Sequence, residues 1–221
     1  MAVVKLADLE KHPTIRAYVK QADANLAAMG FTEHGFRHIS LVSSIARQIL
    51  LRLGYAERRA ELAAIAGYVH DLGNCVGRVN HGYAGALLVE PVLRELGMPP
   101  EEVALVLSAV GNHEEEVGEP VNEVAAALIL ADKSDVHRTR VRNRELATFD
   151  IHDRVNYAVN KSFLNVDEQQ RLITLNITIE TEYTPIMDYF EIFLDRMLMC
   201  RRAAAYLGCQ FKLKINDVLL L

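Results

Sequence analysis

Apolar residues recur at three- and four-residue spacing over the first 145 residues of the chain, a pattern typical of amphipathic helices. One such stripe contains Val42, Ile45, Ile49 and Leu53. Glycine often ends a helix, and glycines follow or close the apolar stretches at positions 30, 54, 73, 97 and 111. The pattern therefore predicts a succession of short and medium helices.

After about residue 150 the apolar residues recur at every second position, which is typical of half-buried strands. Tyr157, Val159 and Phe163 indicate one strand, and alternation over 173–179 indicates a second that pairs with it as a hairpin. A long amphipathic helix over 186–208 and a strand over 211–215 follow, so the last two strands can pair in parallel. We predict a mainly α chain, with a helical domain over 1–145 and an α+β extension over 146–221 that contains about three strands and a long helix.

Composition and charge exclude several classes of protein. The 221 residues include 29 acidic and 24 basic side chains, a formal net charge of -5, so no general attraction to nucleic acid or to a membrane surface is expected. Charges interrupt the N-terminal segment every few residues, which excludes a signal peptide there. Three cysteines form no CxxC pair, which fits a reducing compartment and indicates a cytoplasmic protein.

Histidine and aspartate occupy positions on several predicted apolar stripes. His38 lies four residues before Val42, and His113 lies three residues after Val110. An isolated buried carboxylate costs several kcal/mol, so inward-facing aspartates need partners, which a divalent cation can supply. Mixed imidazole and carboxylate ligands suit iron, manganese, zinc, nickel or cobalt. The candidate ligands, which exceed the needs of one ion, are His38, His70, Asp71, His81, His113 and Asp132.

The order of these residues resembles a known family. His38, then the pair His70-Asp71 in GYVHDLGN, then Asp132 in ILADKSD resemble the HD-domain superfamily of metal-dependent phosphohydrolases. His81 in NHGYAGALL and His113 in GNHEE resemble its subgroup with an H, HD, H, H, D pattern and two metals. The resemblance covers residues from about 30 to 140.

The resemblance implies an HD-domain helical bundle that binds one or two divalent transition-metal ions. It assigns the first ion to His38, His70, Asp71 and Asp132, and the second to His81 and His113, with Asp71 bridging the two. A hydroxide held between the cations would attack phosphorus, because nearby cations bring the pKa of water toward neutrality. Many relatives carry lysine where this chain has Asn74, and Arg78 is a candidate replacement.

Basic residues follow the last candidate ligand, from Lys133 to Arg144. Lys133 and Arg138 are the nearest candidates for catalytic contacts to a phosphorylated substrate, although a solvated helix face is an equal alternative. No aromatic residues interleave with them, so a nucleic-acid substrate is not expected. Asp135 either orients a ligand histidine or forms an ion pair, and His34 lies either at the mouth of the site or on the surface.

The function predicted on these grounds is hydrolysis of a phosphate ester or anhydride in a small, nucleotide-like substrate. Two alternatives remain open, namely a di-iron oxygenase on an HD-like scaffold and a non-catalytic metal-binding regulatory module. The C-terminal extension is predicted to cover the site or to form a homodimer through an exposed strand edge.

Overall fold

The structure is a computed structural model that describes residues 3–220, and it is mainly helical, as predicted. The described helices are α1 (Leu6–Lys11), α2 (Pro13–Ala28), α3 (Phe36–Arg52), α4 (Glu57–Val69), α5 (His81–Glu95), α6 (Pro100–Gly111), α7 (Glu123–Lys133), α8 (Ile151–Ala158) and α9 (Ile186–Tyr206). Short 3₁₀ helices cover His70–Cys75, Arg138–Arg140 and Leu146–Thr148. None of the helices in this described part has the length and apolar character needed to cross a bilayer.

Helix α7 forms the centre of the core. Every residue from Val124 to Ala131 is buried, because α3, α4, α6 and α9 all pack around this helix. Its small side chains allow that close packing, and the Asn122 side chain caps its first turn by accepting from the backbone N–H of Ala125. Asp132 and Lys133 lie at its C-terminal end, so the last turn of a rigid helix carries two of the predicted site residues.

A four-stranded sheet in the order β1-β2-β3-β4 forms the C-terminal part. Its strands are β1 (Val159–Asp167), β2 (Leu172–Ile179), β3 (Gln210–Ile215) and β4 (Val218–Leu219). The predicted β1–β2 hairpin and the parallel β2–β3 pair across α9 are both confirmed, and the two-residue β4 adds an unpredicted fourth strand. Alternating burial along β2 shows that one face of the sheet is packed, as the period of two predicts.

One prediction about the start of this sheet is wrong. Tyr157 belongs to α8, and the strand begins two residues later at Val159. Asp150 caps α8 by accepting from the backbone N–H of Asp153, which starts a helix of only two turns. A helix this short contains too few apolar positions to separate a period of 3.6 from a period of two.

The sheet and α9 contact the helical part next to the predicted site. Helix α9 buries Phe193, Met197 and Cys200, and it packs on α7. The Ser162 hydroxyl of β1 donates to the backbone oxygen of Ser134, immediately after α7. The C-terminal elements therefore lie beside the turn that carries Asp132.

Candidate metal centre

Five segments bring the six predicted ligands together. His38 lies on α3, His70 and Asp71 begin the 3₁₀ helix after α4, His81 begins α5, His113 follows α6, and Asp132 lies on α7. Asp132 is half-buried, and the other five are buried. Their ligand atoms form three overlapping groups within 4.8 Å, namely His38 with His70 and Asp71, His70 with His113 and Asp132, and Asp71 with His81 and His113.

Two glycines allow the 3₁₀ helix to approach α5 closely. A Cβ atom added at Gly73 would lie 1.8 Å from the backbone oxygen of His81, and one at Gly85 would lie 3.2 Å from the backbone oxygen of His70. Real side chains do not tolerate the first distance, so glycine is required at position 73. This contact places the His81 ring nitrogen Nε2 3.4 Å from Asp71 Oδ1.

All four ligand histidines present the same ring nitrogen to the centre of the cluster. Nδ1 lies 2.9 Å from the Gly67 carbonyl oxygen in His70 and 2.6 Å from the Val110 carbonyl oxygen in His113. In His38 it lies 2.6 Å from Asp135 Oδ2, and in His81 it lies 3.0 Å from the Arg78 carbonyl oxygen. Because a carbonyl oxygen only accepts, and an ionised carboxylate likewise, Nδ1 carries the hydrogen in each ring. Nε2 of each neutral ring is then a lone pair, which is the form that binds a metal.

Several atoms at the centre lack the partners that burial demands. His38 Nε2, His70 Nε2 and Asp71 Oδ2 are buried without a hydrogen-bond partner among residues 3–220. The Nε2 atoms of His81 and His113 lie only 3.1 Å apart. Facing lone pairs repel, whereas a cation between them satisfies both nitrogens. Asp71 Oδ2 faces the Nε2 atoms of His38 and His70 at 3.6 and 3.4 Å, where a cation would satisfy all three unpartnered atoms. The residues present therefore fit a site for divalent transition metals.

The charges of the cluster interact strongly. Burial disfavours the charged form of His70, but the carboxylates of Asp71 and Asp132 outweigh that effect and raise its pKa to about 10. Burial likewise opposes ionisation of Asp71, yet the histidines around it hold its pKa well below the usual value. Lys133 is the largest favourable influence on Asp132, whose pKa is also held well below the usual value despite burial. Both carboxylates are thus ready to bind a cation.

The side chains around the ligands fix their orientation. Asp135, which accepts from His38 Nδ1, also pairs with Arg37 at 2.8 Å, so it has the orienting role that sequence reasoning left open. Glu114 accepts from the backbone N–H of Gly82 at 2.6 Å and lies 3.0 Å from His81 Nδ1. Arg37 contacts Asp135, which lies 98 residues later, and Glu114 contacts Gly82, which lies 32 residues earlier. The spacing of residues in the sequence does not indicate the contact made by Arg37.

The two predicted catalytic cations differ in position. Lys133 is buried, and its Nζ lies 2.7 Å from Asp132 Oδ2 and 3.1 Å from Glu115 Oε1. Arg138 pairs instead with Glu180 at 2.9 Å and lies over the Tyr157 ring, so the structure does not bring it to the ligand cluster. Asp71, the third predicted catalytic residue, lies in the cluster itself.

A pocket of about 560 Å³ opens beside the cluster. Its wall includes His34 and Arg78 near the ligands, and Arg196 from α9. The ring centroid of His34 lies 5.3 Å from that of His38, and Arg78 Nη1 lies 3.4 Å from His81 Nε2. A larger cavity of about 870 Å³ lies between the residues before α1 and helices α3, α4 and α6. The six ligands line neither cavity, but the wall of the smaller pocket approaches the cluster through His34 and Arg78, so chemistry favours the smaller pocket.

The comparison with protein families decides the identity of the fold. The model of the HD domain matches residues 35–191, more than two thirds of the chain. The chain belongs to the HD domain family. The matched range contains all six residues of the ligand cluster, and it extends through the β1–β2 hairpin into α9. No curated protein sequence matches the chain significantly.

Membership of the HD domain family confirms the expected fold and places the chain among metal-dependent, hydrolase-like proteins. HD domains bind divalent metals, in agreement with the buried histidine and aspartate groups. Assignment to the two-metal subgroup stays a prediction, as does the division of the HD domain and its extension at residue 145.

Proposed function

We propose that this HD domain protein is a metal-dependent phosphohydrolase, which cleaves a phosphate ester or anhydride of a small, nucleotide-like substrate. The observation that carries the proposal is the convergence of four Nε2 atoms and two carboxylates beside an open pocket. The pocket has the size of a small-molecule site, and Arg78, Arg140 and Arg196 line it together with five carboxylates, of which Glu115 is paired with Arg196.

The proposed ligand groups agree with two of the three observed clusters, whereas the third, His70 with His113 and Asp132, joins ligands of both proposed ions. His38, His70, Asp71 and Asp132 would hold one ion, and His81 and His113 would hold a second that shares Asp71. Iron, manganese, zinc, nickel and cobalt all suit this donor set. Bound cations would supply a water of lowered pKa and positive charge beside a phosphoryl oxygen.

The protein's own side chains prepare the site for that chemistry. The acceptors at Nδ1 fix the orientation of the four rings, so each Nε2 already faces the centre of the cluster. Lys133 offsets the charge of Asp132 and holds its carboxylate in one orientation. Arg78 lies beside His81 without a carboxylate partner among residues 3–220, which leaves its guanidinium free to donate to a phosphoryl oxygen.

Elemental analysis and a phosphate-release screen test this function. The protein, purified without chelator, is expected to contain stoichiometric transition metal and to release phosphate from at least one class of nucleotide. His70→Ala and Asp71→Ala should each lose bound metal and turnover while keeping the helical circular dichroism. His12→Ala, a histidine outside the cluster, is the matched control and should keep both properties.

Three outcomes would contradict the proposal. Full metal content in both cluster variants contradicts the ligand assignment. Bound metal with no phosphate release across nucleoside monophosphates, dinucleoside polyphosphates and cyclic nucleotides favours a regulatory module. Iron-dependent dioxygen uptake, with no turnover by the manganese or zinc form in anaerobic buffer, favours an oxygenase.

A further inference from the structure

Arg140 lines the pocket and carries a spare hydrogen-bond donor. Its side chain is 3% exposed, its Nε donates to the Glu33 carbonyl oxygen, and its Nη1 donates to the Asp135 carbonyl oxygen. Its Nη2 is buried with no hydrogen-bond partner in the described range 3–220. A buried guanidinium N–H without an acceptor is destabilising, so this donor is available to an acceptor from outside the described chain.

The charge of Arg140 is also only partly balanced. The nearest carboxylate oxygen, Asp135 Oδ2, lies 3.7 Å from its Nε and is shared with Arg37 and His38. The backbone of Glu33 holds Arg140 at two points, since the Glu33 N–H also donates to the Arg140 carbonyl oxygen at 2.8 Å. Arg140 is therefore a fixed cation next to His34 in the pocket wall.

Arg78 supplies a second cation to the same pocket. Its Nη1 lies 3.3 Å from Asn74 Oδ1, and its guanidinium lies 5.3 Å from the centre of the Phe31 ring. No carboxylate in the described part of the chain forms an ion pair with it, whereas Arg196 across the pocket is paired with Glu115 at 2.7 Å. Arg78 is thus held in place by neutral groups, and its charge remains available to a ligand.

We propose that Arg78 and Arg140 form a subsite for a phosphoryl group other than the one that is attacked. Arg78 lies beside the metal ligand His81, and Arg140 lines the same pocket, so both cations face the space that one substrate would fill. Guanidinium groups match the oxygens of phosphate with paired donors. The substrate class is then a compound with at least two phosphoryl groups, such as a nucleoside diphosphate. That substrate class rests on the proposed function, whereas anion binding by the metal-free chain does not.

Binding of inorganic pyrophosphate to the metal-free full chain tests the subsite. Isothermal titration calorimetry should show saturable binding with one site per chain, weaker at higher salt. Arg78→Met should weaken this binding at least about tenfold, and Arg140→Lys should weaken it because the paired donors are lost. Arg94→Met removes the same charge from an exposed position of α5 and should leave the affinity unchanged.

The half-buried Arg78 keeps the test decisive even where substitution of the buried Arg140 disturbs folding. Unchanged pyrophosphate affinity in Arg78→Met overturns the subsite, and so does the absence of saturable binding to the unsubstituted chain.

Activity assays on the metal-loaded protein distinguish a wrong subsite from a wrong proposed function. Pyrophosphate binding without phosphate release from any nucleotide contradicts the hydrolase but supports the subsite. Equal kcat/KM for a nucleoside monophosphate and its diphosphate, with no pyrophosphate binding, overturns the subsite and leaves the hydrolase. If both proposals hold, the diphosphate has at least about tenfold higher kcat/KM, and Arg78→Met removes that preference.

Discussion

Single ring atoms determine how the histidines of this centre can act. The sequence places four histidines on apolar stripes, which predicted their convergence, but it does not say which nitrogen faces inward. That choice depends on acceptors such as the Gly67 carbonyl oxygen, which lies one helical turn before His70, and Asp135, which lies 97 residues after His38. The first acceptor follows from helix geometry, whereas the second requires the packing of α3 against the end of α7.

The raised pKa of His70 leads to a prediction about proton release. Its folded-state pKa of about 10 lies above neutrality, so Nε2 carries a proton in the metal-free protein at pH 7. A metal must displace that proton, and binding therefore weakens about tenfold per pH unit as pH falls. Calorimetry in buffers of different ionisation enthalpy should report about one proton released per chain. A heat of metal binding that is the same in all buffers would contradict the predicted proton release.

Asp135 should tune metal affinity without touching the metal. Asp135→Asn removes the charge that faces His38 Nδ1 at 2.6 Å, and loss of such a partner typically lowers metal affinity 10- to 100-fold. Competition with a chromogenic chelator measures the change. Asp217 is an exposed aspartate in the turn between β3 and β4, and the Asp217→Asn variant should bind metal as tightly as the unsubstituted protein.

At the scale of elements, glycine and capping residues made the helices predictable. Helix α6 begins at Pro100 after Pro99, and Asn122 caps α7, and both residue types are typical of helix starts. The short α8 and the two-residue β4 were missed, because neither is long enough to show a period. The 3₁₀ conformation of the HDLGNC segment was missed as well, since it is stabilised by contact with α5 and not by local propensity.

The close approach of the 3₁₀ helix and α5 predicts an unequal effect at two neighbouring glycines. In Gly73→Ala the new methyl group meets the His81 backbone, so α5 must shift, at a cost of about 1–3 kcal/mol or more in the free energy of unfolding. Gly77→Ala adds the same group where no atom lies within 4 Å and should change stability little. Urea unfolding measures both. Equal losses in the two variants would show that the contact does not constrain α5.

At the scale of the whole molecule, a row of ion pairs with alternating charge runs from the metal ligand Asp132 to helix α9. Asp132 pairs with Lys133, Lys133 with Glu115, and Glu115 with Arg196 of α9. No periodicity could have predicted this row, because three separate segments supply it. The sequence predicted a hairpin of two strands, a long helix and a third strand after residue 150, but the packing of α9 on α7 depends on the tertiary arrangement.

Glu115 should stabilise the molecule in a pH-dependent way. Burial opposes its ionisation, but Lys133 and Arg196 lower its pKa to about 2, below the 4.5 of an unfolded chain. The contribution of the Glu115 carboxylate to the free energy of unfolding is therefore fully present above about pH 4.5 and is lost as pH falls toward 2. Glu115→Gln should lower the free energy of unfolding by on the order of 1–3 kcal/mol at pH 7, with the difference shrinking in acid. Urea titrations across this pH range measure it, and the exposed Glu119→Gln should show no such trend.

The position of α9 has a practical consequence for dissecting the chain. The family match stops at residue 191, inside α9 and before the residues Phe193 and Arg196, which fill the core and the pocket wall. A recombinant fragment trimmed to the matched range would therefore expose the flank of α7, leave Glu115 with Lys133 as its one remaining ion-pair partner in the described chain, and remove β3, the parallel neighbour of β2. A fragment that keeps both the pocket wall from α9 and the parallel β2–β3 pair must extend at least through β3, beyond the end of the family match.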